Sequence, residues 1–171
     1  MCVHESVDET TVDQEPEIEC TLAIIKPEAV VYREEIERRI LEESFEIYQT
    51  RWLQLSPEQV SEFFSDHYGQ LNFARLVAYM SSGPIIVHVL AKRNAIDDWK
   101  IMMGPSRVRD TQSTSINIRA KYGRRGADFK NAVHGSSSRE QAEKEIHFFF
   151  PERKYSRLII VSYHYYRGKI D

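Results

Sequence analysis

Residues 21 to 25 (TLAII) are a continuous apolar run that follows a long polar stretch, which predicts a short buried strand. Lys26-Pro27 stops it, because proline has no N–H to give to a ladder. From Arg33 to Glu43 the pattern turns helical: Ile36, Ile40 and Leu41 lie on one side and charges on the other. Phe45 to Leu55 alternates as a strand does, with Phe45, Ile47 and Gln49 sharing a face. Ser56-Pro57-Glu58-Gln59 then reads as a helix start. It has a serine cap, proline at the first helical position and a glutamine placed to reach back. That helix is expected to run to Tyr68, with Gly69 in the left-handed ending conformation. A short helix, Asn72 to Met80, follows.

Ser81-Ser82-Gly83-Pro84 marks a turn, and Ile85 to Leu90 (IIVHVL) is the most strand-like run in the chain. Asn94 to Met103 returns to helical spacing, with Ile96, Trp99 and Met103 as its apolar set. Gly104 to Val133 is polar, basic and without period, so a long loop holding at most one strand is expected. Unstructured stretches of that length inside a compact domain usually carry function. Ser137 to Glu140 reads as a second capping box, opening a helix that carries Ala142, Ile146 and Phe149 inward before Pro151. Strands separated by helices, some pairing with their neighbours, fit an α/β (α+β) sandwich of the ferredoxin-like kind.

Composition narrows the field. The chain has 171 residues, 42% of them hydrophobic, enough for one compact domain with a proper core. A net charge of -3 and a pI near 6.1 argue against a general nucleic-acid or membrane-surface binder. No apolar run approaches the roughly 20 residues of a bilayer span. Residues 1–19 hold seven acidic side chains and no Lys or Arg, which predicts a solvated tail rather than a targeting segment. A domain over 20–152 is then followed by a basic, aromatic segment, 153–171, whose Tyr163, Tyr165 and Tyr166 offer a docking surface or a plain tail. Two cysteines, Cys2 and Cys20, make no disulfide framework, in keeping with a reduced, cytoplasmic protein.

The chemistry centres on Asn131-Ala132-Val133-His134-Gly135-Ser136. A histidine followed by Gly-Ser, just ahead of a capped helix, stands where the chain turns tightly and backbone N–H groups point outward. Helix N-termini attract anions. Glu145 lies three turns along that helix, within reach of the imidazole only if the fold permits. By itself a loop histidine is more often solvated or structural than catalytic, and the residues alone leave both readings open.

Three segments occur in order: Thr21-Leu-Ala-Ile-Ile-Lys26-Pro27-Glu28, Tyr79-Met80-Ser-Ser-Gly83-Pro84, and Asn131-Ala-Val-His134-Gly135-Ser136 running on to Ala142-Glu-Lys-Glu145-Ile146. The series resembles the nucleoside diphosphate kinase family over roughly Cys20 to Pro151. Its variant spellings are most similar to the divergent, cilium-associated branch. The resemblance implies a ferredoxin-like βαββαβ sandwich with a four-stranded antiparallel sheet and added helices. It implies phosphate transfer from a nucleoside triphosphate to a nucleoside diphosphate through a phosphohistidine at His134. Glu145 matches the carboxylate that orients the ring, and Ser136 completes that catalytic set. Lys26, Tyr68, Lys100, Ser106, Arg119 and Asn131 match positions that hold the nucleotide, and Phe73 matches the ring that stacks on the base. Mg²⁺ is implied as a bridge between nucleotide phosphates, with no protein metal site.

The departures give an alternative its support. Lys100 stands where the enzymes carry arginine, which loses the bidentate fork suited to phosphate. Ser106 replaces threonine and Ser137 an acidic residue. The family's C-terminal segment, which helps build hexamers, is not recognisable after Lys154. A weakly active or inactive domain, serving as a structural part of the ciliary axoneme in radial spokes, is the alternative reading. Nucleotides, axonemal proteins and a second copy of the chain are the expected partners, and the cytoplasm and cilium the expected location.

Overall fold

A computed structural model describes residues 17–107, 117–124, 126 and 128–152 of the chain. Most of the expected acidic tail and the segment 153–171 lie outside the described residues. Four strands form one sheet: β1 (Glu19–Ile25), β2 (Glu46–Leu53), β3 (Ile85–Lys92) and β4 (Val133–Gly135), ordered β2-β3-β1-β4. Every neighbouring pair is antiparallel. The helices are α1 (Arg33–Glu42), α2 (Pro57–Phe63), α3 (Phe73–Met80), α4 (Ala95–Met103), α5 (Ile118–Tyr122) and α6 (Arg139–Phe149). This is the ferredoxin-like arrangement expected from the sequence, with extra helices.

The period of 2 along each strand divides the core into two layers. Ala23 and Ile25 of β1, with Ile86 and Leu90 of β3, face a cluster built with Ile36 and Ile40 of α1, Trp99 of α4 and Ile118 of α5. Leu22, Ile24, Val87 and Val89 face the other way, onto Val60, Phe64, Leu76, Met80 and the Ala142–Ile146–Phe149 stripe of α6. Helices therefore cover both faces of the sheet. Full burial of side chains of this size stabilises by about 1.5–3 kcal/mol each, so the two layers dominate the stability. β2 lies at the sheet edge, and a bulge at Tyr48 shifts its register from Ile47↔Leu90 to Gln49↔Val89.

Several expected boundaries move. β1 opens at Glu19, inside the expected tail: the Glu19 carboxylate accepts the Ile96 N–H at 2.8 Å, and Glu17 pairs with Arg139 at 3.0 Å. The Ser56–Gln59 capping box forms in full. α2, however, ends at Phe63 rather than Tyr68, and a 3₁₀ turn over Ser65–His67 carries the chain to Gly69, whose φ of 85° is left-handed as expected. α6 is capped by Ser138, not Ser137: the Ser138 hydroxyl accepts the Gln141 N–H at 3.1 Å. With the start one residue later, Gln141 takes the third helical position, and its amide reaches Glu145. Inside the expected loop 104–133 lies a helical turn, α5, which Asn117 caps by accepting the Ala120 N–H at 2.8 Å.

Candidate active site

His134 occupies the middle of β4, opposite Ile24 of β1. Val133, opposite Ile25, is buried with the α1–α4 layer. Alternation then turns the imidazole to the opposite face, toward α2 and α6. There Nε2 meets Glu145 Oε1 at 2.9 Å, and 19% of the His134 side chain stays exposed. The His134 carbonyl accepts the indole N–H of fully buried Trp99 at 3.2 Å, which ties β4 to α4. Gly135 makes that approach feasible: a Cβ there would overlap Trp99 and Met103.

Glu145 is itself buried and held on several sides. The Ser136 hydroxyl donates to Oε2 at 2.5 Å, and the Gln141 amide approaches Oε1 at 3.4 Å. Burial works to raise its pKa, but the hydrogen bond and charge of His134, with Ser136 and Gln141, outweigh it and hold the carboxyl below its ordinary value. The carboxylate then accepts only, so in the neutral form of the ring the proton sits on Nε2 and the lone pair on Nδ1. Ser136 Oγ also accepts the Leu22 N–H at 3.3 Å, which locks the loop against β1.

Two cations hold the segment that leads into β4. Lys26, immediately past β1, is buried; its ammonium donates to Asn131 Oδ1 at 2.7 Å and to the Phe129 carbonyl at 3.0 Å. Burial, and next the charge of Arg119, push its pKa down to about 7 against an upward pull from Glu28. Arg119 reaches from α5 to the carbonyls of Gly104 (2.9 Å) and Val133 (3.1 Å), and burial lowers its pKa to about 10. Its Nε is buried without a hydrogen-bond partner. Between these cations the backbone is gripped from both sides: Glu28 accepts the Ala132 N–H at 2.9 Å, and the Lys26 N–H donates to the Ala132 carbonyl at 2.9 Å. Ala132 holds a φ of 70°, an unusual conformation for a residue with a Cβ, and this grip maintains it.

The structure ties Lys26, Arg119 and Asn131 to the segment that leads into β4, and joins His134, Ser136 and Glu145 in a second hydrogen-bonded set at its end. Lys100 donates to the Ser137 carbonyl, 2.5 Å from its ammonium, rather than standing free. Ser106 takes part through its backbone carbonyl, which accepts the Asn131 amide at 2.9 Å. Tyr68 and Phe73 form a separate pair with ring centroids 5.1 Å apart; Tyr68 is exposed and Phe73 half-buried on the second core layer. Sequence reasoning missed Glu28, Gln141, Trp99 and the rings of Phe63 and Phe64. Phe63 and Phe64 flank the imidazole at 5.5 and 5.6 Å. Their sequence signal was no more than a Phe-Phe pair inside the expected helix.

Surface cavities of about 300 Å³ (around Arg39, Phe45, Lys92 and Met102) and about 560 Å³ (around Gln49, Arg51, Phe149 and Pro151) lie away from His134. Among the described residues, no group of three or more His, Cys, Asp or Glu side chains is placed to hold a metal ion.

Comparison with known proteins agrees with this geometry. The family model described as "Nucleoside diphosphate kinase" matches residues 19–155. "Nucleoside diphosphate kinase homolog 5" of Danio rerio is 48% identical over 135 residues, covering 78% of this chain and 61% of that protein. The chain thus spans about three fifths of the length of that relative. "Probable nucleoside diphosphate kinase 5" of Arabidopsis thaliana is 42% identical over 135 residues, covering 75% of this chain and 90% of that protein. The crystal structure of the Aquifex aeolicus nucleoside diphosphate kinase, form C222, superposes with a TM-score of 0.73 at 34% identity, covering 78% of this chain and 95% of that one. With the sheet order and these matches in agreement, the chain belongs to the nucleoside diphosphate kinase family.

Proposed function

We propose that this chain is a nucleoside diphosphate kinase that carries the phosphoryl group on His134 Nδ1. The observation that supports this best is the 2.9 Å contact from Nε2 to the ionised Glu145, which leaves the lone pair on the other nitrogen. In the first half-reaction that lone pair attacks the γ-phosphorus of a nucleoside triphosphate. The bond from phosphorus to the bridging oxygen breaks, and its electrons leave on the diphosphate. The ring becomes cationic with its proton still on Nε2, where the Glu145 carboxylate stabilises the new charge, as the carboxylate of a hydrolase triad does. In the second half-reaction a terminal oxygen of another diphosphate attacks the phosphorus, and the P–N electron pair returns to Nδ1.

Charge spreads over the phosphate oxygens at each transition state, so fixed cations beside it lower the barrier. Lys26 and Arg119 supply them, with Lys100 at the rim. In this reading Asn131 takes the sugar, Phe73 the base, and Tyr68 and Ser106 the phosphates. Glu28 and Glu145 are committed to the Ala132 N–H and to His134 with Ser136, so the residues present suit a divalent cation that arrives on the nucleotide. When bound, Mg²⁺ neutralises part of the phosphate charge.

A second reading is a weakly active or inactive domain that acts as a structural part of the ciliary axoneme. It draws support from Lys26, Lys100 and Arg119: the chain's own oxygens engage both ammonium groups and the two terminal nitrogens of the guanidinium. Incubation with Mg²⁺ and [γ-³²P]ATP separates the two. The kinase reading expects an acid-labile label that His134→Ala abolishes. Acid-stable label, or none, would leave the structural role.

A further inference from the structure

We propose that Phe63 and Phe64, at the end of α2, are positioning residues that hold the His134 ring and keep water from its phosphorylated form; this rests on the phosphotransfer reading above. Histidine χ2 is broad and roughly two-fold, so the torsion of the side chain does not itself decide which nitrogen meets Glu145. Something outside the side chain must hold the ring.

Two rings do. Phe63 meets the imidazole at 5.5 Å between centroids with planes 71° apart, and Phe64 meets it at 5.6 Å and 86°. Both are T-shaped contacts, an arrangement that aromatic pairs favour. The two phenylalanines are themselves T-shaped at 4.8 Å. Behind Phe63 stand Phe148 at 5.3 Å and Phe149 at 5.1 Å, both from α6, the helix that carries Glu145. The imidazole is thus bounded by a carboxylate at one nitrogen and by an aromatic wall braced on the same helix.

That wall offers water no hydrogen bond. Hydrolysis of the phosphohistidine would require a water oxygen to attack phosphorus while the P–N bond breaks. Its electron pair would return to Nδ1, inorganic phosphate would leave, and the water's proton would pass to solvent. A dry surface along the ring hinders that approach and leaves the open side to a nucleotide. The same contacts keep the ring from turning over and presenting Nε2.

The test uses phosphoramidate, a small phosphoryl donor that modifies histidine without a nucleotide site. Phosphorus NMR of the full chain, with His134→Ala subtracted, identifies the phosphorylated nitrogen, and decay of the signal gives the lifetime. We expect phosphate on Nδ1 of His134. Phe63→Leu and Phe64→Leu, each apolar and near in size, are expected to shorten the lifetime by about twofold to tenfold, the range that aromatic contact energies correspond to, and to let the Nε2 isomer appear. Trp52→Leu removes a ring on β2, at the opposite edge of the sheet from β4, and is expected to change neither readout. Unchanged isomer and lifetime in both Phe63→Leu and Phe64→Leu, an equal change in Trp52→Leu, or no phosphate on Nδ1 would overturn the proposal. A protein that takes phosphate from phosphoramidate but not from Mg-ATP would end the kinase reading, while the lifetimes still judge the aromatic clamp.

Discussion

Nucleotide binding should draw a proton into the protein, and Lys26 is the reason. Its ammonium is buried, with burial and the Arg119 charge pushing its pKa to about 7. At pH 8 the nucleotide-free site is therefore about one tenth protonated, by ordinary titration from that value. A bound polyphosphate places opposite charge beside the ammonium, and an opposite charge within a few ångströms raises a lysine pKa by about 1–3 units. The bound value becomes about 8–10, so binding at pH 8 takes up roughly 0.4 to 0.9 proton. Affinity then weakens as pH rises from 7 to 9, because the neutral amine must first capture a proton. Calorimetric titrations of the chain with Mg-ATP, in two buffers of different ionisation enthalpy, measure that uptake directly. Phosphomonoesters lose their second proton near pH 6, so at pH 8 the nucleotide contributes little of its own. In Lys26→Arg the guanidinium stays charged throughout, and the uptake is expected to vanish. No uptake at pH 8 in the wild type, or equal uptake in Lys26→Arg, would refute the reasoning.

Three further outcomes follow from the same geometry. Glu145→Gln keeps the shape but removes the charge and turns one acceptor oxygen into an amide donor, a loss of about 1–2 kcal/mol; labelling of His134 should slow by about 5- to 30-fold, and an unchanged rate would show that the carboxylate is idle. Gly135→Ala forces a methyl into Trp99 and Met103. Such overpacking costs about 1–3 kcal/mol, a fall in Tm of roughly 2–10 °C that differential scanning calorimetry would detect, and an unaltered Tm would mean the contact relaxes freely. His88 is buried on β3, its Nδ1 2.8 Å from the Thr50 hydroxyl and its Nε2 3.1 Å from Glu37 but off the line of a hydrogen bond. Burial first, then Arg33, lowers its pKa against the pull of Glu37. The unfolded chain then binds the proton first as pH falls through about 6.5, so this contribution is complete above that pH and is lost below it. Urea midpoints should fall between pH 7 and 5.5 more steeply in the wild type than in His88→Gln; parallel slopes would contradict this.

Local pattern was enough for much of the architecture. The apolar run at 21–25, the alternation at 45–55 and the strand at 85–90 placed three of the four strands, because side-chain period reflects backbone period directly. The Ser56 capping box was legible for the same reason: its partners lie three residues apart. Short-range signals faded where competing caps stood side by side, so Ser137 and Ser138 were exchanged. They failed in 104–133, where α5 is a five-residue helix whose hold on the fold comes from buried Ile118 and Tyr122 rather than from a periodic stripe. Lys26, Arg119, Asn131 and His134 could be named from motif resemblance alone, but nothing local sets an ammonium 2.7 Å from an amide 105 positions later. Only the pairing of β1 with β4 could decide that, by placing His134 opposite Ile24 and turning its ring toward α6. The same pairing committed Lys100 to the Ser137 carbonyl and surrounded the imidazole with Phe63 and Phe64. Those contacts depend on how separate elements meet in space, and linear spacing carries no record of it.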